Sequence, residues 1–182
     1  MPPDAVATLP DYLPDHPDIL FVGINPGSYS ARQGHYYARA TNHFWWALHT
    51  SGLVPVPLSP QEDWRVSEFG LGLTDLVKRP TNSAAEVRGD EFVAGRQELD
   101  QKIARVKPLI VCFNGLTGYQ QFFQDHTQPG RQPRCLHGAA VFVLPSTSAR
   151  NAAYPRHVVL RYFRDLYALR DELRHHAAPQ ER

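Results

Sequence analysis

The 182-residue chain has only two cysteines, Cys112 and Cys135. Two cannot supply the four ligands of an iron–sulfur cluster, and their separation is not a zinc spacing. Cys112 lies in an apolar run and is expected to be inert core. That usage suits a reducing cytoplasm and argues against a disulfide framework. Excess charge is also missing: 19 basic residues face 18 acidic ones, so no polybasic or acidic tail announces a partner, though a local basic face stays open. No apolar run approaches the length of a membrane span, and the N-terminus lacks a basic-then-apolar signal pattern. There is no full Gly-x-Gly-x-x-Gly and no lysine after the glycines of the first turn, which argues against a phosphate-cradling nucleotide site. The nine histidines are scattered, and no metal or cofactor is expected.

What is present is an alternation of short apolar runs and amphipathic stretches. Residues 1–18, rich in proline and aspartate, read as an extended lead-in. Ile19–Ile24, Pro108–Phe113 and Ala139–Pro145 read as buried strands. Asn42–Ser51 reads as a helix, with Asn42 as a plausible N-cap and Gly52 as a stop. Asp90–Val106 is helical, with Phe92, Leu99, Ile103 and Val106 near one face. Gly115–Gln124 is a further helix. Val158, Val159, Tyr162, Phe163, Leu166, Leu169 and Leu173 mark the longest one, Tyr154–His175. Phe69–Thr81 is an apolar run closed by a basic pair and a proline, and residues 176–182 read as a flexible tail. With no repeat and no linker, 1–182 is expected to be a single domain.

Buried strands separated by helices predict an α/β fold: a three-layer α/β/α sandwich around a short, mainly parallel central sheet. Function in such folds gathers beyond the carboxyl ends of the strands. Two polar loops leave strands there, "NPGSYSARQGHYY" and "STSARNAAYP", so the organisation predicts one cleft between them.

Four motifs within this frame, "GINPG" (Gly23–Gly27), "GHYY" (Gly34–Tyr37), "NHFW" (Asn42–Trp45) and "LPSTSARNAAYP" (Leu144–Pro155), resemble the mismatch-specific uracil/thymine-DNA glycosylases of the uracil-DNA glycosylase superfamily. The resemblance runs in order from about Ile19 to the last helix. It implies a base-excision-repair enzyme, a monomer acting on double-stranded DNA with a G:U or G:T mismatch. Such an enzyme flips the base out of the stack and hydrolyses its N-glycosidic bond, leaving an abasic site. By the same resemblance Asn25 positions the attacking water. A neutral amide can accept a hydrogen bond but is a poor proton base, which implies slow chemistry that depends on orientation. Tyr37 is the aromatic floor for the flipped base, and backbone around Gly23 and Ile24 reads the pyrimidine edge. His35 and Tyr36 lie beside the pocket; for Tyr36, base selection and simple packing are equally open. Phe44, Trp45 and Trp46 are expected in the core, and Asn42 is a brace. In the second loop Ser146, Thr147 and Ser148 are small donors suited to substrate and flanking phosphates. Ala149, Arg150 and Asn151 complete a segment that enters the duplex, with Arg150 as the wedge. No lysine occupies the turn, so no Schiff-base lyase step is expected.

Asp75 is weighed separately. A carboxylate near the pocket can take the proton that Asn25 cannot. Equally, Thr74 or Asp75 can cap a turn, or Asp75 can pair with Lys78 or Arg79. Lys78, Arg79, Arg131, Arg134, Arg156 and Arg161 suit phosphate contacts by charge alone, and most are expected to be solvated surface. The contrasting reading is a lesion-binding protein of the same fold that does not cleave.

Overall fold

The computed structural model of the chain describes residues 7–177. Strands β1 (Ile19–Gly23), β2 (Leu71–Asp75), β3 (Ile110–Asn114) and β5 (Ala139–Leu144) are buried at every position. Runs of this kind satisfy their side chains only with both faces covered. Accordingly they form a sheet of order β2-β1-β3-β5-β4, parallel except for β4 (Gly130–Leu136), which runs antiparallel to β5. Among the described residues the α-helices are α1 (Ser28–Gln33), α2 (Phe44–Thr50), α3 (Gly89–Val106), α4 (Leu116–Phe123) and α5 (Arg156–Ala177), joined by 3-10 helices at Pro60–Phe69 and Ala84–Glu86.

Alternate side chains of each strand enter opposite cores. Ile19 and Phe21 join Leu71, Cys112 and Phe142 against α2 and α5, where Phe44, Leu48, Phe163 and Leu166 are buried. Leu20 and Val22 join Val111, Phe113 and Val141 against α3 and α4, where Leu99, Ile103 and Tyr119 are buried. Each such Leu, Val or Phe contributes about 1.5–3 kcal/mol by leaving water. The three-layer arrangement expected from the sequence is therefore the observed one. Phe44 and Trp45 are core, as expected, and Trp46 packs on its edge.

Two strands, the helix α1 and both 3-10 helices escaped the sequence pattern. β4 holds Arg131, Pro133 and Arg134, and a polar edge strand interrupted by proline has no apolar run to betray it. β2 lies inside the Phe69–Thr81 run, where the period does not tell strand from loop. α1 forms within what the sequence presents as a polar loop, and Gly34 closes it at φ 76°. Helix α2 starts two residues later than expected, because the Asn42 side chain accepts from Phe44 N (3.0 Å) in a turn just before it. The described part of the lead-in is pinned: Tyr12 pairs with Leu73 in an antiparallel bridge, and Leu9 is buried. Beyond Ala177 the expected tail lies outside the described residues.

The register sets up the site. Gly23 pairs with Asp75, and Asn114 with Leu144, so four carboxyl ends meet along one edge of the sheet.

Candidate active site

At that edge lies a cleft of about 690 Å³. One wall is the turn after β1 and the other is the loop after β5. Gly23, Ile24, Asn25, Tyr37, Asp75, Ser146, Thr147, Ser148, Ala149 and Arg150 all line it. Residues from both predicted loops thus face each other.

The turn is held by continuation of the sheet ladder. Leu76 N donates to Gly23 O and Val77 N to Ile24 O, both at 2.8 Å. Further on, Ser28 N donates to Thr81 O (2.9 Å) and Thr81 N to Pro26 O (3.2 Å). This brings Thr81 beside Asn25. The Asn25 Nδ2 donates to Arg79 O and to Thr81 Oγ1, both at 2.8 Å. Thr81 Oγ1 spends its own proton on Ser83 O at 2.7 Å, so toward Asn25 it accepts. Both partners of Nδ2 are acceptors, which fixes the amide with nitrogen inward and leaves Oδ1 as the acceptor the turn presents.

Asp75 sits directly behind Gly23. A Cβ on Gly23 would stand 2.6 Å from Asp75 Oδ1 and 3.7 Å from the Tyr37 hydroxyl, so only glycine lets the carboxylate approach the turn. Asp75 is 4 % exposed. Burial pushes its carboxyl up to about 6, and Lys78, 3.2 Å from Oδ2, opposes that rise. The expected pairing with Lys78 is therefore present. Arg79 instead binds Glu91.

Tyr37 adopts a left-handed φ of 51°, uncommon for a bulky residue. Its ring stacks on Phe44, with centroids 4.1 Å apart and planes at 28°. Its hydroxyl is buried without a hydrogen-bond partner. Burial first, and Asp75 second, raise its pKa, so the hydroxyl stays protonated. The conformation is imposed from behind. Buried Asp63 accepts from Tyr36 N (2.9 Å) and the Tyr12 hydroxyl (3.0 Å), and its Oδ1 lies 3.2 Å from His35 Nδ1.

His35, Tyr36 and Asn151 are not among the cleft-lining residues. Tyr36 is 2 % exposed, with its hydroxyl accepting from Lys78 Nζ at 3.2 Å, because the Asp63 clamp turns it into the core. Asn151 ties its own loop, donating from Nδ2 to Ser146 O at 3.4 Å. Thr147 is buried, and Asn114 holds it twice: Asn114 Nδ2 donates to Thr147 Oγ1 (2.9 Å), and Thr147 N donates to Asn114 Oδ1 (3.2 Å). Its backbone carbonyl takes His43 N at 2.9 Å. Thr147 thus sits as a tie between the loop, β3 and the start of α2.

Sequence reasoning missed Thr81, Asn114 and Asp63. Asn114 had a signal, a polar residue closing an apolar strand. Thr81 and Asp63 had none, since their partners lie tens of residues away. Among the described residues no group of three or more His, Cys, Asp or Glu side chains is placed to hold a metal ion. Nor is any helix there long and apolar enough to cross a membrane.

A family model described as the uracil DNA glycosylase superfamily matches residues 10–167. The chain belongs to that superfamily. Its fold is also similar to the solution NMR structure of a Methanosarcina acetivorans protein named "putative Uracil DNA glycosylase". The TM-score is 0.60 at 20 % identity, over 93 % of this chain and 99 % of that one. At this identity the likeness shows the fold alone. Membership makes DNA the substrate class and a DNA glycosylase role the coarse function of the chain.

Proposed function

We propose that the chain is a monofunctional, mismatch-directed glycosylase. It flips uracil from a G·U pair in duplex DNA and hydrolyses the N-glycosidic bond, leaving an abasic site. The observation that carries this reading is the Asn25 amide, a cleft-lining residue keyed through Nδ2 so that Oδ1 is left as acceptor, with Asp75 against Gly23 of the same turn. Cleavage leaves positive charge on the sugar and negative charge on the departing pyrimidine. Asn25 Oδ1 accepts a hydrogen bond from the attacking water and fixes its line of approach. Asp75 takes the water's proton, since a carboxyl ionising near pH 6 suits general-base work at neutral pH. Tyr37, backed by Phe44, offers its other ring face to the flipped base. Arg150 fills the gap in the stack, which helps only where a stack exists. Mispairing lowers the cost of extrusion and favours G·U over A·U. The protein acts as a monomer, in the cytoplasm.

The test is single-turnover base release with excess protein on G·U, A·U, G·T and single-stranded uracil substrates. Free uracil is expected fastest from G·U. Asn25→Ala should remove most cleavage, by about 10²-fold or more, with G·U duplex affinity little changed. Binding to G·U without release of any base would instead establish a lesion-binding protein. Equal rates on all uracil contexts would remove the mismatch preference.

A further inference from the structure

The buried carboxylate behind Gly23 is the end of a charge chain whose other members, Lys78, Asp11 and Lys102, are only partly buried and which begins in the lead-in. Lys78 Nζ lies 3.2 Å from Asp75 Oδ2 and 2.9 Å from Asp11 Oδ1. Asp11 is in turn held by Lys102 of α3, Nζ to Oδ2 at 2.7 Å, and accepts from the Thr74 hydroxyl at 2.9 Å. Asp11 is fixed in place because its neighbour Tyr12 is bonded both ways to Leu73. Lys78 is therefore shared between two carboxylates, and neither holds it alone.

We propose that Asp11 is a positioning residue for the site: by holding Lys78 midway, it sets the pH range over which Asp75 ionises. This rests on the reading of Asp75 as proton acceptor. The physical argument compares three arrangements. A buried aspartate paired with a lysine of its own stays ionised far into acid and is a weak base. A buried aspartate with no lysine stays protonated at neutral pH. Sharing places Asp75 between these limits. The groups facing Asp75 are few. Lys78 follows its own strand, Asp11 comes from the lead-in, and Tyr36 and Tyr37 come from the loop before α2; β1 contributes only Gly23. Both tyrosines stay protonated because burial raises them. Two ammonium groups thus face two carboxylates, and the cluster is neutral when Asp75 is ionised. Removing the Asp11 charge leaves a surplus positive charge that favours ionised Asp75. Removing the Lys78 charge does the reverse.

The experiment follows the Asp75 side-chain carboxyl by ¹³C NMR across pH in the full-length free protein, with single-turnover cleavage measured over the same range. Asp11→Asn should lower the Asp75 midpoint by roughly half a pH unit or more, and Lys78→Met should raise it. Lys102→Met touches only Asp11. It frees Asp11 to draw on Lys78 and should raise the midpoint, which gives a second reading if Asp11→Asn fails to fold. A midpoint unmoved in folded Asp11→Asn, or in Lys102→Met if the first variant unfolds, overturns the proposal. An NMR midpoint that moves without the rate profile supports the tuning and removes Asp75 as proton acceptor.

Discussion

Asn25 is useful to a hydrolytic mechanism only in one of its two amide orientations. Flipped, it would present a donor to the cleft and clash with the polarity of the Arg79 carbonyl. The key is Thr81, whose hydroxyl is committed to Ser83 and therefore accepts from Asn25. Thr81→Val keeps the shape and removes that acceptor. The expected result is a loss of roughly tenfold in single-turnover cleavage, about one hydrogen bond's worth, with duplex affinity unchanged and Thr81→Ser restoring most of the rate. In an Asn25→Ala background the same substitution should have no further effect. An additive loss there would assign Thr81 a role independent of the amide. Nothing around "KRPT" suggests this from the sequence, because the contact spans 56 positions.

At the scale of elements, the site depends on how closely α3 approaches the end of β2. A Cβ on Gly95 would stand 2.2 Å from the Leu76 carbonyl oxygen and 3.3 Å from Val77 Cγ2. Alanine normally gains about 1 kcal/mol over glycine inside a helix. Here the neighbour is backbone, so the helix must back away or the Leu76–Lys78 segment must move, and overpacking of this kind costs about 1–3 kcal/mol. Gly95→Ala should therefore destabilise the protein, read as a lower urea midpoint at unchanged slope. A stability gain would mean that α3 has slack. The Gly34–Tyr37 segment shows the same dependence on a distant element. Its aromatic pattern was legible, yet His35 and Tyr36 are oriented by Asp63, a buried residue of the Pro60–Phe69 3-10 helix.

For the molecule as a whole, a carboxyl raised by burial opposes folding as it ionises. In the folded protein Asp75 ionises near pH 6, against about 3.9 when unfolded. The folded state thus holds an extra proton between these values. By linkage the Asp75 contribution is most favourable below about pH 4, falls as pH rises through 6, and is constant above. Asp11 and Glu91 shift downward and act in the opposite sense, so the sign appears only in a difference. The unfolding free energy of the parent minus that of Asp75→Asn should fall between pH 4 and 7 by at most about 3 kcal/mol. A flat difference would show that Asp75 ionises at its ordinary pH.

The sequence by itself determined the layers of this protein and the edge where the cleft opens. Continuous apolar runs such as Ile19–Val22 and Val141–Leu144 are stable only between two helical faces, and that physics is local and periodic. It also determined which two loops meet, because both leave parallel strands at the same end. Tertiary structure decided which side chains enter the cleft. His35, Tyr36 and Asn151 share their motifs with Tyr37 and Arg150, yet they turn away because Asp63 and Ser146 claim their polar groups. Asp75 comes against the turn because Gly23 lacks a side chain and the register pairs the two residues. Thr81, Asn114 and Asp11 gain their positions from partners more than thirty residues distant, and no period in the sequence records a hydrogen bond that closes only when the chain has folded.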